Sequence, residues 1–238
     1  RRFIKTAFTQ YLSPSVINQL LQNPENLKLG GERRRISIFF SDIENFTSIS
    51  EPLQPEQLTD LLNKYLSELS EIILKNGGII DKYEGDAIIA FWNAPLDTEN
   101  HERKAIETAI ECQKRLKELN SEFVKIAGRP LATRIGINTG DAVVGNMGSS
   151  KRFDYTAFGD SVNLASRLEG LNKDFGTYIL CTKETALYAK QQGSSLKFRK
   201  IAYAKVLGKD KAVPVYSPTT KEDFENAETA VLEHFAEY

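Results

Sequence analysis

Apolar residues in the first half of the chain fall into short runs and helix-spaced stripes. Residues 35–41 (RISIFFS) form an apolar run that is typical of a buried strand. A stripe with spacings of 4, 3, 4 and 3 follows, at Leu58, Leu62, Tyr65, Leu69 and Ile72. This spacing predicts an amphipathic helix, which Gly77-Gly78 would end.

A hairpin and a second helix come next. Two strand-like runs, 79–83 and 87–92, flank Glu84-Gly85-Asp86, which predicts a tight turn between paired strands. Apolar residues at positions 105, 109, 112, 116 and 119 then predict a helix. Because Cys112 lies on this stripe, we expect it to be a core residue rather than a reactive thiol.

The second half predicts more strands than helices. We expect strands at 133–138 and 142–147, joined by a turn at Thr139-Gly140-Asp141, and short strands at 178–181, 196–198 and 213–216. Helices are predicted at 161–171 and 183–190. Since hairpins interrupt the alternation of strands and helices, the pattern favours an α+β fold with a mixed or antiparallel sheet over a doubly wound sheet.

The two ends of the chain read as additions to this central unit. Ser13-Pro14 has the form of a helix start, and apolar residues within 221–238 predict a terminal helix. We therefore divide the chain into a lead-in at 1–29, a central domain at 30–217 and a C-terminal helix at 218–238.

Composition excludes several classes of protein. The 31 Lys and Arg against 32 Asp and Glu give a net charge of −1, which argues against a general nucleic-acid binder. Two cysteines cannot make a disulfide framework, so we expect a reducing compartment and place the domain in the cytoplasm. The chain starts at Arg1, and its single methionine is Met147. We expect a longer parent protein, whose upstream segment would supply any link to a membrane.

Two acidic residues are the first candidates for chemistry. Asp42 closes the first predicted strand, and Asp86 lies in the predicted hairpin turn. If the hairpin packs beside that strand, both carboxylates emerge at one end of the sheet and suit Mg²⁺ or Mn²⁺. Taken singly, each is better explained as an ordinary strand-end or turn residue.

Three further polar residues stand out. Asn163 and Arg167 lie four apart on a predicted helix, so they share a face and could hold a sugar and a phosphoryl oxygen. A solvated polar face is the alternative reading of that pair. Arg134 lies inside a strand-like run, where an arginine needs a partner.

Four strings occur in one order, FFSDIENFT, DKYEGDAIIAFW, RIGINTGDAVVGNMGS and FGDSVNLASRLEG. Together they resemble the catalytic domain of class III adenylyl and guanylyl cyclases over about residues 30–217. The resemblance implies a ferredoxin-like α+β domain whose central mixed or antiparallel sheet is flanked by helices. It also implies a lyase that converts a nucleoside triphosphate to its 3′,5′-cyclic monophosphate and pyrophosphate with two divalent cations, Mg²⁺ or Mn²⁺.

The resemblance assigns roles to the residues that match the family motifs. Asp42, Asp86 and the backbone carbonyl of Ile43 match the metal ligands. The phosphate-contacting groups of the family correspond here to the backbone amides of Phe46 and Thr47 and the side chain of Arg134. Asn163 matches the residue that orients the ribose, and Arg167 matches the arginine that stabilises charge on the α-phosphate. No protein general base is evident, and we expect His101 and His234 on helix surfaces.

Base choice follows from Lys82 and Thr156, which occupy the purine-selecting positions. A lysine can donate to adenine N1, and a threonine hydroxyl can accept from the N6 amine. Guanine presents a protonated N1 and an O6 acceptor instead, so this pair favours ATP. An exposed lysine and a loop threonine without a role are the alternative.

Two positions depart from the family pattern. Leu207 stands where many members have a lysine that contacts the triphosphate, and Lys205 or Lys209 would have to substitute for it. Asn45 stands where glycine is common, and asparagine tolerates the positive φ that such a turn requires.

The resemblance further implies a head-to-tail homodimer with two shared sites, each combining the metal aspartates of one protomer with the base, ribose and α-phosphate contacts of the other. The function we expect is that of an adenylyl cyclase. The alternatives are a guanylyl cyclase and a catalytically weak nucleotide-binding regulatory module. An RNA-binding domain of similar fold is disfavoured by the balanced charge and by the lack of an aromatic RNA-binding strand.

Overall fold

A computed structural model describes residues 29–204 and 212–223, together with Ile17. The remainder of the predicted helix after Ser13-Pro14 lies outside this described part. So do most of the predicted helix at 221–238, His234 and residues 205, 207 and 209. Within it, residues 221–223 are helical. No helix among the described residues is both long and apolar enough to span a membrane.

Eight strands and five helices make up the described domain. The strands are β1 (Gly30–Ile43), β2 (Ile79–Glu84), β3 (Ala87–Trp92), β4 (Thr133–Ser149), β5 (Arg152–Phe158), β6 (Ile179–Thr182), β7 (Lys197–Ala204) and β8 (Val213–Thr219). The helices are α1 (Phe46–Ser50), α2 (Pro55–Lys75), α3 (His101–Ala127), α4 (Asp160–Phe175) and α5 (Lys183–Gln191).

The strands form one sheet in the order β2-β3-β1-β4-β6-β8-β7, and β5 pairs with β4 outside this path. Only the β4–β6 pairing is parallel, and all the others are antiparallel. The sheet is therefore mixed and flanked by helices, as the sequence predicts for the fold class.

Side chains alternate across β1 and build a core on each face of the sheet. Phe39 packs on one face with residues of α2 and α3, among them Tyr65 and Phe123. Ile36 and Ile38 face the other side, where Ala165 of α4 covers them. Thus α4 lies on the opposite face from the two long helices, and Cys112 is fully buried in the first core, as predicted.

The prediction of a turn at Thr139-Gly140-Asp141 is wrong, because β4 runs without a break from Thr133 to Ser149. It pairs along its length with β1, from Gly30 opposite Asn146 to Ile43 opposite Thr133. A side chain at position 140 would meet the Ser161 hydroxyl at 2.4 Å. Glycine at this position therefore accompanies the close approach of α4 and does not mark a turn.

His101 also departs from its prediction, since it is only 8% exposed. Its Nδ1 lies 2.8 Å from the Ser37 hydroxyl, which in turn lies 2.8 Å from the hydroxyl of Thr139. Burial lowers the pKa of His101, so the imidazole takes part in this network in its neutral form. Ser37 is the polar position within the apolar run 36–40, and it needs this buried partner.

Candidate active site

Asp42 and Asp86 meet at one end of the sheet. Asp42 lies near the end of β1, and Asp86 follows Gly85 in the β2–β3 turn, where the glycine has φ +64°. Antiparallel pairing of β1 with β3 sets Ser41 opposite Ile88, which brings the turn alongside Ile43. The backbone N–H of Ile43 donates to Asp86 Oδ2 at 2.8 Å.

The pKa of Asp86 reflects its contact with the carboxyl group of Asp42. Burial, followed by the hydrogen bond and the charge of Asp42, raises the pKa of Asp86 to about 7. The N–H of Ile43 acts in the opposite direction, because it favours the carboxylate. Two carboxyl groups in such contact share a proton or need a cation between them.

The donor set fits a hard divalent cation. Carboxylate and backbone carbonyl oxygens are the ligands that Mg²⁺ prefers, and this ion keeps several sites for water or substrate phosphates. Among the residues that the structure describes, no group of three or more His, Cys, Asp or Glu side chains could hold a metal. The pair thus suits an ion whose remaining ligands come from solvent and substrate.

A short helix starts at Phe46, shortly after Asp42. Asn45 has φ 56° and ψ 34°, which confirms that asparagine accommodates the left-handed turn at this position. Phe46 begins α1, whose first-turn N–H groups have no acceptor within the helix. The backbone amides of Phe46 and Thr47 therefore follow Asp42 closely in the chain and are suited to an anionic ligand.

Arg134 lies directly opposite Asp42 in the register of β1 and β4. Its Nε is 3.7 Å from Glu169 Oε1 on α4, and both side chains are less than one-fifth exposed. Neither atom has a hydrogen-bond partner. Burial, with a further contribution from the charge of Asp42, raises the pKa of Glu169 to about 7, while Arg134 opposes the rise.

Glu169 is a residue of this region that the sequence analysis missed. The signal was available, since an arginine within a strand requires a buried partner, and Glu169 lies two residues after Arg167. The loose geometry with Arg134 leaves the guanidinium able to contact another anion.

Lys82 and Thr156 come together through a third residue, Asp81. The hydroxyl of Thr156 donates to Asp81 Oδ2 at 2.6 Å, and Lys82 Nζ lies 3.8 Å from Asp81 Oδ1. Asp81 is only 3% exposed in its side chain, whereas Lys82 is 42% exposed. The two predicted purine contacts are therefore neighbours. The carboxylate that joins them was missed because the resemblance assigns no role to Asp81, although this residue opens the string DKYEGDAIIAFW.

Asn163 and Arg167 lie on the exposed face of α4. Leu164 and Leu168 are buried on the adjacent face and seat the helix. The helix packs against β4 at Gly136, where a Cβ would lie 2.2 Å from the backbone N of Glu169. Asn163 and Arg167 thus form a second polar group, on a different element from the carboxylate pair.

A cavity of about 540 Å³ lies elsewhere, near the middle of the β1–β4 pairing. Arg35, Asp141, Ser161 and Glu184 line it. Arg35 is opposite Asp141 in the register, far along β1 from Asp42. None of the predicted site residues lines this cavity, so the candidate site rests on the carboxylate pair and not on the cavity.

Comparison with known proteins shows the family to which the chain belongs. The family described as the adenylate and guanylate cyclase catalytic domain matches residues 31–217. The chain therefore belongs to this family, which confirms the resemblance found in the sequence.

Two curated relatives are adenylate cyclases. Adenylate cyclase 1 of Rhizobium meliloti is 40% identical over 185 residues, which is 77% of this chain and 27% of the relative. The adenylate cyclase of Anabaena cylindrica is 36% identical over 221 residues, which is 90% of this chain and 41% of the relative. The chain thus spans less than half the length of either relative.

Solved structures of both kinds of cyclase are similar to this domain. The adenylyl cyclase CyaB from P. aeruginosa superposes with a TM-score of 0.74 at 38% identity, covering 81% of this chain and 97% of that one. The guanylyl cyclase Cya2 superposes with a TM-score of 0.73 at 33% identity, covering 81% and 95%. The fold alone therefore does not separate the two substrates.

Proposed function

We propose that this domain is an adenylyl cyclase, which converts ATP to 3′,5′-cyclic AMP and pyrophosphate. The observation that carries the proposal is the meeting of Asp42 and Asp86 at the sheet edge, in a chain that also brings Lys82 and Thr156 together. The similarity to enzymes named adenylate cyclase supports this assignment.

The carboxylates of Asp42 and Asp86, with the carbonyl of Ile43, would hold two divalent cations, Mg²⁺ or Mn²⁺. Such ions supply charge neutralisation on the phosphates and a lowered pKa for the ribose 3′-hydroxyl. The raised pKa of Asp86 supports this role, since a cation removes the repulsion that the paired carboxylates otherwise experience.

The remaining groups bind the triphosphate and the ribose. The amides of Phe46 and Thr47 and the guanidinium of Arg134 would hold the distal phosphates, while Asn163 orients the ribose. The 3′-oxygen then attacks the α-phosphorus in line as the bond to pyrophosphate breaks, and the 3′-hydroxyl proton passes to solvent. Arg167 stabilises the charge that builds on the α-phosphate.

The residues that read the base favour ATP. Lys82 can donate to N1 of adenine, which is unprotonated, but meets a donor at N1 of guanine. Thr156 can accept from the N6 amine. This pair is the reason for choosing ATP over GTP, although the similarity to a guanylyl cyclase keeps GTP as the second candidate.

A homodimer would complete the site. Asn163 and Arg167 lie on an exposed face of α4, away from the carboxylate pair in the chain. Val143 and Phe158 are cross-strand partners on β4 and β5, and they are 40% and 68% exposed. Covering this apolar pair with a partner would remove its surface from water and so favour association. We propose a head-to-tail dimer with two equivalent shared sites.

Product analysis tests the proposal directly. The purified chain is incubated with ATP or GTP, each with Mg²⁺ or Mn²⁺, and the products are identified by chromatography and mass spectrometry. We expect cyclic AMP and pyrophosphate from ATP, at a rate well above that of cyclic GMP from GTP. Preferred formation of cyclic GMP would indicate a guanylyl cyclase, and nucleotide binding without cyclic product would indicate a regulatory module.

A further inference from the structure

The contact between β2 and β5 has a consequence for base selection. The strands are not neighbours in the sheet, and the hydrogen bond from Thr156 to Asp81 joins them at 2.6 Å. Asp81 lies at an irregularity of β2, where Ile80 pairs with Ala90 but Lys82 pairs with Ile89. This bulge re-aims the side chains, so the consecutive residues Asp81 and Lys82 lie together instead of on opposite faces.

A buried carboxylate in this place needs an explanation. Asp81 is 3% exposed in its side chain, and its Oδ1 has no hydrogen-bond partner apart from the long approach of Lys82 at 3.8 Å. Burial raises the pKa of Asp81, whereas the Thr156 hydroxyl, the charge of Lys82 and a backbone hydrogen bond from Ala157 all favour its ionised form.

A threonine hydroxyl has one proton and two acceptor lone pairs. The proton of Thr156 is directed at Asp81. Because an ionised carboxylate can only accept, the pairing has this single direction whenever Asp81 is ionised. The side of Thr156 that remains for a ligand therefore offers only lone pairs. Such a group accepts from an exocyclic amine and repels an exocyclic oxygen.

We infer that Asp81 is a positioning residue for substrate choice, because it makes Thr156 an obligatory acceptor that selects the 6-amine of adenine over the 6-oxygen of guanine. This inference rests on the proposed function of the site. Lys82 distinguishes the two bases at N1, and Asp81 adds a second criterion at position 6 by acting through Thr156.

The variant Asp81→Asn tests the inference, because a carboxamide can turn either its oxygen or its NH₂ towards Thr156. The hydroxyl proton is then free to meet a 6-oxygen. At pH 8 we expect kcat/KM for GTP to rise about tenfold, with ATP changed by less than about twofold, as one hydrogen bond gained or lost at the base would give.

Two further variants separate this role from a structural one. Asp154→Asn is the matched control, since Asp154 is exposed on β5 and its charge acts on Asp81. Asp154→Asn should leave the ratio of kcat/KM for ATP to kcat/KM for GTP unchanged. In a Thr156→Val background, Asp81→Asn should have no further effect on the ratio. The inference would be overturned if Asp81→Asn left the ATP-to-GTP ratio of kcat/KM unchanged. It would also be overturned if Asp81→Asn changed that ratio equally in the wild-type and Thr156→Val backgrounds.

A substrate analogue carries the test if Asp81→Asn fails to fold. Purine riboside triphosphate has an unprotonated N1, like ATP, but lacks the 6-amine. The wild type should prefer ATP over this analogue by about tenfold, and Thr156→Val should show no preference. Retention of the full preference by Thr156→Val would overturn the inference, because Thr156 would then not read position 6.

The same comparison made by competitive binding separates the inference from the proposed function. Binding of ATP and GTP needs no turnover. A binding preference that falls in Asp81→Asn, in a protein that forms no cyclic product, would support the role of Asp81 and reject the cyclase activity. Cyclic AMP formation with an unaltered binding preference in Asp81→Asn would support the cyclase activity and reject the role of Asp81.

Discussion

Replacing Asp86 by asparagine should stabilise the metal-free protein and remove its response to Mg²⁺. The wild-type carboxyl lies against Asp42, and its pKa rises from 3.8 to about 7. At face value this shift is ~4 kcal/mol against the charged form, since one pKa unit is about 1.4 kcal/mol. Solvent screens a half-buried carboxyl, so we expect Asp86→Asn to gain about 1–2 kcal/mol at pH 8.

The gain should depend on pH in a defined direction. The folded protein holds a proton on Asp86 more tightly than the unfolded chain does, so this group makes wild-type stability fall as pH rises from 3.8 to about 7. The asparagine variant lacks this dependence at position 86. Its advantage over the wild type should therefore be larger at pH 8 than at pH 6.

Urea unfolding followed by tryptophan fluorescence measures this effect. Trp92 is the only tryptophan and is fully buried, so its emission reports on the core. With chelator present, the variant should be the more stable protein. Mg²⁺ at ten times its Kd should stabilise the wild type by about 1.4 kcal/mol and leave the variant unchanged.

Glu84→Gln is the control, because Glu84 is an exposed acid on the same hairpin. It should neither stabilise the protein nor alter its response to Mg²⁺. A variant Asp86→Asn that is less stable than the wild type in chelator, or that Mg²⁺ stabilises to the same extent, would refute the assignment of this pair as the metal site.

Three other predictions address the catalytic arginine, the base contact and the packing of α4. Arg167→Ala should lower kcat at least a hundredfold with little change in KM, because its charge is needed mainly in the transition state; steady-state kinetics would reject this role if KM rose and kcat did not fall. Lys82→Glu should lower kcat/KM for ATP and raise it for GTP, since a carboxylate accepts from the protonated N1 of guanine; parallel losses for both nucleotides would contradict the assignment. Gly136→Ala should cost about 3 kcal/mol in urea unfolding, because its Cβ would lie 2.2 Å from the backbone of Glu169, whereas Gly170→Ala, with open space at its Cβ, should be neutral or stabilising.

Periodicity and motif order were sufficient to predict the fold class and most elements. The stripe through Leu69 and the hairpin around Gly85 are local signals, and each corresponds to an element with similar bounds. The carboxylate pair was also accessible, because a strand end and an adjacent hairpin place Asp42 and Asp86 together.

Features that depend on tertiary contacts were not accessible. Thr139-Gly140-Asp141 has turn composition, yet β1 pairs through it and α4 packs on Gly140. His101 is polar and starts a helix, but Ser37 of a buried strand fixes it inside. Both errors arise because a partner distant in sequence decides the environment of a residue.

The missed members of the candidate site share this cause. Asp81 matters because β5 brings Thr156 to it across 75 positions of sequence, and Glu169 matters because α4 crosses β4 at Arg134. A bulge in β2 and a helix crossing leave no regular pattern in the chain. Of the two, only Glu169 had a signal in the sequence, because an arginine inside a strand, such as Arg134, requires a buried partner.

Complementation between two inactive variants tests the central claim that each site is shared between protomers. Asp42→Ala removes the carboxylate half, and Arg167→Ala removes the helix half, so each homodimer should form almost no cyclic AMP. In an equal mixture, half the dimers are mixed and each has one intact site, which predicts about one quarter of wild-type activity. A mixture no more active than its separate components, with both variants folded and dimeric, would contradict the account.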